Sequence, residues 1–148
     1  MSLRLEITTP DRPMFEGEVD SVSLPTPGGE ITILPHHIPL ISIIAPGAIT
    51  IRQKGSEQLL AVSRGVIEVD GRTIRVMVDT ADRADELQEQ AILKAKADAE
   101  KLQKERRDDR EGFAEATAIL ERELARLHVV RRRRGSGRSS VPPTGSGA

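Results

Sequence analysis

The sequence predicts an α+β protein: an antiparallel β-sandwich of about eight to ten strands over residues 1–84, a C-terminal antiparallel helical hairpin over 85–134 and a disordered tail over 135–148. Three observations carry this. Residues 3 to 78 repeat short alternating apolar runs, each closed by a turn signal. After Thr80 the apolar spacing changes from that of a strand to that of a helix. From Gly135 the chain is glycine, serine and proline with little to bury.

Leu3, Leu5 and Ile7 alternate with polar residues as far as Pro10, giving the first strand. Val19, Val22 and Leu24 lead to Pro25-Thr26-Pro27-Gly28-Gly29, and Ile31 and Ile33 lead to Pro35. Ile49 and Ile51 precede the turn Lys54-Gly55-Ser56, with Leu60 and Val62 beyond it. Val66 to Val69 pairs with Thr73 to Val78 across Asp70-Gly71, a dipeptide that accepts the positive φ of a tight hairpin. No helical pattern separates these runs, so their partners are one another.

Asp85-Glu86-Leu87-Gln88 offers an N-cap carboxylate with glutamine three residues on, and Leu87, Ala91, Ala95, Ala99 and Leu102 then recur at helical spacing. Asp108 with Glu111 gives a second cap, ahead of a stripe of Phe113, Ala116, Leu120, Leu124 and Leu127. The short polar link Arg106 to Asp109 makes the two helices, each about 30 Å long, antiparallel neighbours. Because the first stripe is mostly alanine, it allows close approach but buries little apolar area.

The 148 residues allow one small domain plus an appendage. Aromatics are confined to Phe15 and Phe113, and cysteine is absent, which excludes a disulfide framework, a thiolate metal site and a cysteine nucleophile. Met1-Ser2-Leu3-Arg4 enters the alternating pattern directly, without the apolar stretch of a signal peptide. The apolar stretch Ile38 to Ile51 is interrupted by Pro39, Ser42, Pro46, Gly47 and Thr50 and is shorter than the roughly 20 residues of a membrane helix.

Charge is uneven. Residues 1–84 hold 8 basic and 11 acidic side chains, whereas 85–148 hold 14 and 12, so the cationic surface is in the second part. Arg122 and Arg126 are four apart on one helical face, and Arg131, Arg132, Arg133 and Arg134 extend the charge. Such a run can neutralise phosphates, and a nucleic-acid-binding adaptor is the alternative reading. Against it stand a pI near 6.3 and the lack of tyrosine and tryptophan for base stacking, so an acidic protein surface is the better partner.

Catalytic signatures are missing. There is no G-x-x-x-x-G-K-[ST] or G-x-G-x-x-G segment, and Ser63-Arg64-Gly65 lacks the glycine of a nucleophile elbow, since Ala61 stands there. His36 and His37 are adjacent and His128 is remote, which does not suit one metal ion. The chain is read as non-enzymatic, with neither metal nor cofactor.

The segments Gly29-Glu30-Ile31-Thr32-Ile33-Leu34-Pro35-His36-His37-Ile38-Pro39-Leu40-Ile41 and Pro46-Gly47-Ala48-Ile49-Thr50-Ile51 resemble the signature stretch of the epsilon subunit of F-type ATP synthases. Ser63 to Val69 and Val78-Asp79-Thr80-Ala81 are similar to the family's second stretch, and Ala114 to Val130 to its C-terminal helix. The resemblance implies a rotor subunit of the central stalk in a proton-translocating synthase. Its sandwich would clasp the gamma shaft and rest on the c-subunit ring. Its hairpin would rise along gamma to the alpha and beta subunits of the catalytic head and restrain ATP hydrolysis. The whole would sit peripherally on the cytoplasmic side of the plasma membrane. Carried over by residue, Glu30 and His37 face the ring, and Arg122, Arg126 and Arg131 to Arg134 face acidic segments of the head. Some relatives bind ATP through an aspartate and an arginine early in the first helix. Gln88 and Ala91 occupy those positions here, which implies that ATP sensing is lost.

Overall fold

A computed structural model of the chain describes residues 2–139, with side chains as far as residue 133. The described strands are β1 (Leu3–Thr8), β2 (Pro13–Val19), β3 (Ser21–Thr26), β4 (Gly29–Ile33), β5 (Leu40–Ile44), β6 (Gly47–Gln53), β7 (Ser56–Val62), β8 (Gly65–Val69), β9 (Thr73–Val78) and β10 (Ala81–Arg83). They form two five-stranded sheets, ordered β2-β1-β9-β8-β5 and β10-β7-β6-β3-β4. All neighbours are antiparallel except β1 and β9, which run parallel with Leu5 opposite Ile74.

The two inner faces meet in one aliphatic core. Leu5 and Ile7 from β1, Ile67 from β8 and Ile74 from β9 lie against Leu24, Ile49 and Leu60 of the other sheet, all fully buried. With so few aromatics, branched aliphatic side chains supply the cohesion, each contributing about 1.5–3 kcal/mol when fully buried. The β8–β9 hairpin turns where the dipeptide predicts it, with Gly71 at φ 100°. The Asp70 side chain completes the turn by accepting from the backbone N–H groups of Thr73 and Arg72 at 2.8 and 3.1 Å.

After a 3₁₀ turn at Ala84–Glu86 come α1 (Glu89–Glu105) and α2 (Arg110–Ser139), joined by residues 106–109 as the polar link predicts. Residues 140–148 of the expected tail lie outside the described residues. The first helix does not start on the expected Asp85 cap. Asp85 and Glu86 belong to the 3₁₀ turn, and the N-cap position falls to Gln88, whose side chain makes no capping hydrogen bond. The second helix begins at Arg110, so Asp109 rather than Asp108 directly precedes it.

The helical stripes match the expected ones in part: Ala99, Ala116 and Leu127 are buried, and other positions differ. In α1 the buried residues are Ile92 and Ala99, while Ala91 is exposed. In α2 the buried side chains are Ala116, Glu123, Ala125, Leu127 and Val129, whereas Phe113 and Leu124 are more than two-fifths exposed. The reason is that α2 has two neighbours. It packs along α1 and also lies over β6 and β7, where Val129 joins Ala48, Leu59 and Ala61. These strands are therefore buried on both faces, and small outward residues let the helix come close.

Candidate interaction surfaces

Among the described residues no His, Cys, Asp or Glu cluster could hold a metal ion, and no helix is long and apolar enough to cross a membrane. What the molecule offers is surfaces.

The first lies on the outer face of the β1-containing sheet. β5 is its edge strand, and Ile41 and Ile43 are 75% and 63% exposed. Register places Ile43 beside Val66, and Val66 beside Met77, so an apolar row crosses three strands on the side away from the core. Ile38, 74% exposed, extends it into the preceding loop. A contiguous apolar row on an open edge is a docking feature, because water contact with it is unfavourable and pairing would relieve both the row and the edge. The sequence reading missed β5, since both faces of Leu40–Ile44 carry apolar residues and no alternation marks it.

Glu30 and His37, expected to act together, line different grooves. Glu30 ends up beside Pro25, Pro46, Gly47 and helix α2, where its carboxylate is 3.9 Å from Arg132. His37 accompanies Ser2, Arg4, Glu18, Asp70 and Arg72, with its ring Nδ1 2.7 Å from the carbonyl oxygen of Ile38.

The arginines of α2 are largely engaged. Arg126 donates from Nε to Asp82 of β10 at 2.8 Å and from Nη1 to Glu123 at 2.7 Å. Arg122 contributes a longer contact to the same Glu123 at 3.4 Å. Glu123 is 2% exposed, a buried carboxylate held between two guanidinium groups. Arg131 reaches Glu89 of α1 at 3.2 Å. Arg133 lines a groove with Glu57, Arg83 and Asp85. Arg134 is helical but beyond the described side chains. One further pair had no signature in the sequence: Arg64 donates to Glu121 from Nε and Nη2 at 3.2 and 3.0 Å, and the carboxylate raises the arginine's pKa.

Gln88 and Ala91 border a groove of about 280 Å³ with Leu87, Ile92, Glu123 and Arg126. Their amide and methyl group add no charge to it.

The comparisons with known proteins agree with this architecture. Residues 2–84 match the family model for the β-sandwich domain of the ATP synthase delta/epsilon chain. The ATP synthase epsilon chain of Herpetosiphon aurantiacus is 37% identical over 134 residues, covering 90% of this chain and 98% of the relative. That of Nitrosococcus oceani is 37% identical over 136 residues, covering 89% and 94%. A chain in the Euglena gracilis mitochondrial ATP synthase assembly of OSCP, F1 and c-ring has the same fold, with a TM-score of 0.69 at 20% identity over 81% of this chain and 76% of that one. The chain therefore belongs to the epsilon-chain family of ATP synthases, as a non-catalytic stalk subunit and not an enzyme in its own right.

Proposed function

We propose that this chain is the rotor subunit that joins the gamma shaft to the c-subunit ring of a proton-translocating F-type synthase and restrains ATP hydrolysis through its hairpin. In this reading the two parts act separately. The sandwich, residues 1–84, binds gamma and the ring, and the hairpin, residues 85–134, acts on the alpha and beta subunits of the head. In the same reading the chain sits peripherally at the cytoplasmic side of the plasma membrane.

The observation that carries the proposal is the exposed row of Ile41, Ile43, Val66 and Met77, an apolar surface suited to a long partner helix or strand. Glu30 at the start of β4 and His37 in the loop after it supply polar contacts to the ring. The F1/c-ring assembly that contains the Euglena neighbour is the kind of complex this fits. For the hairpin, support comes from Arg122, Arg126 and Arg131 to Arg134, which give α2 a cationic character suited to acidic segments. That Arg126, Arg131 and Arg132 already sit on carboxylates speaks for protein partners rather than nucleic acid. Gln88 and Ala91 add no charge-assisted contact for a triphosphate to the α1 groove, and its lining arginine, Arg126, is already held by Asp82 and Glu123, so ATP is not bound.

The test is ATP hydrolysis by the assembled head with and without this chain, and with Arg122, Arg126 and Arg131 to Arg134 replaced by alanine. The parent should inhibit, and the variant should bind gamma but release inhibition, more clearly at low salt. Equal rates for parent and variant complexes of matched subunit content would overturn the hairpin's role. A 1–84 fragment unable to bind gamma would overturn the division of labour, and a saturable calorimetric isotherm with ATP would overturn the loss of sensing.

A further inference from the structure

Helix α2 rests on the sandwich through a thin apolar contact. Its centre is Val129 against Ala48, Leu59, Ala61 and Ala84, and alanine dominates. Thr50 lies on the same outward side of β6 as Ala48, opposite the core residues Ile49 and Ile51, and its hydroxyl is buried without a hydrogen-bond partner. That group opposes docking, because leaving the interface would return it to water. Apolar burial therefore gives the docked position only a small margin, and charge decides it.

Among the described residues three ion pairs cross from α2 to the sandwich: Arg64–Glu121, Arg126–Asp82 and Arg132–Glu30. They differ in quality. Arg64 is 69% exposed, and the Arg132–Glu30 pair is 3.9 Å long with Glu30 51% exposed. The Arg126–Asp82 pair is the shortest at 2.8 Å, with both side chains less than one-third exposed. Pairs of the first kind contribute little, while a short, partly buried charge-assisted bond contributes more.

Glu123 refines the geometry. It lies three residues before Arg126 on the same helix and binds its other nitrogen, so it aims the guanidinium wherever the helix goes. Asp82 stays behind on β10. The Arg126–Asp82 bond exists only while the hairpin is down.

We propose that Asp82 is the latch of the docked hairpin, and that it works by occupying Arg126, so that docking on the sandwich and contact with an acidic partner surface exclude each other at this side chain. The inference deepens, and rests on, the reading of the hairpin as a mobile inhibitor. An acidic partner would not need to create a new cationic surface; it would exchange one carboxylate for another. The equilibrium then follows the difference between two contacts to one guanidinium.

The chain has no cysteine, so a single thiol at Ala61, 1% exposed beneath α2, reports undocking through its labelling rate in the full-length protein. Asp82→Asn keeps the side chain's shape and the pairing of β10, and should speed labelling about tenfold, the expected effect of losing one charge-assisted hydrogen bond. Glu121→Gln, which removes the exposed pair to Arg64, should speed it less than about threefold. A second reporter at Ala48 should give the same ratio. Unchanged labelling in Asp82→Asn, or an equal change in Glu121→Gln, overturns the latch. In the assembled head, Asp82→Asn without the reporter should inhibit ATP hydrolysis more strongly than the parent. Faster labelling with unaltered hydrolysis would leave the latch standing and overturn the inhibitory role of the hairpin.

Discussion

Gly65 of β8 lies so close to Met77 of β9 that a Cβ built on it would overlap the Met77 carbonyl oxygen and lie 2.6 Å from Val78 Cγ1. The contact is with backbone inside a paired ladder, so neither strand can step aside without losing register. Gly65→Ala is expected to destabilise the sandwich by about 3 kcal/mol, the upper end of overpacking effects. Urea unfolding followed by far-ultraviolet circular dichroism checks this, and a midpoint equal to the parent's would show that the sheet yields there.

Glu123→Gln removes the negative charge between Arg122 and Arg126 while keeping the shape of the side chain. Because the group is 2% exposed, water cannot replace the lost contact, and the hairpin should lose about 2 kcal/mol. Amide hydrogen exchange should show faster exchange in α2 with the core strands β1 and β6 unchanged. Uniform protection along α2 would mean that the buried carboxylate is not part of what holds the helix.

How much of this was legible in the chain depended on where each signal was kept. Strands such as β1 and β9 bury one face against the core, so Leu3, Leu5, Ile7 and Ile74, Val76, Val78 spell out their period. β5 has apolar residues on both faces, and β2 has Gly17 where an apolar side chain would mark the inner face between Phe15 and Val19, so neither shows a clean alternation. The expected stripe of α1 shares Ala99 with the buried residues but takes Ala91 in place of Ile92, because alanines fit either phase of an Ala-rich helix. The arginines of α2 were legible as a charged face. Their partners Asp82, Glu89 and Glu30 were not, since 44 residues separate Asp82 from Arg126 and no local pattern joins them.

Replacing Ile41 and Ile43 by aspartate tests the apolar row. Both side chains are mostly exposed, so folding stability should change by no more than about 0.5 kcal/mol. Binding to gamma should weaken by about 100-fold or more, from the loss of two buried isoleucines at the lower end of their usual contribution. Titration calorimetry with gamma decides it, and an affinity within about twofold of the parent's would move the interface elsewhere.

The hairpin turn at Asp70 should respond to acid. Hydrogen bonds from the backbone of Thr73, then of Arg72, hold its carboxyl below the usual 3.8. A pKa depressed in the folded state stabilises the protein above the unfolded value, and that contribution fades as the pH falls through the folded value. Asp70→Asn should therefore lower the unfolding midpoint at neutral pH, and the gap to the parent should narrow below about pH 4. Parallel urea titrations at both pH values would show it; a gap that stays constant would assign the effect of the substitution to geometry rather than charge.

The parallel pairing of β1 with β9 also sets the order in which the chain can be completed. β1 leaves the ribosome ahead of the rest of the sandwich, yet the strand that binds its other edge, Thr73–Val78, is among the last of the sandwich. Until then β1 and β2 can form only an isolated two-stranded ribbon, which is marginal in water. Closure joins segments nearly seventy residues apart, Arg4 with Thr73, so it is a slow, late and cooperative step. A chain halted before Thr73 would lack the middle of one sheet, whereas one halted after Arg83 would have every strand it needs. The helical hairpin thus follows every strand of the scaffold in the chain, and packs as an addition to a surface that the strands can complete without it.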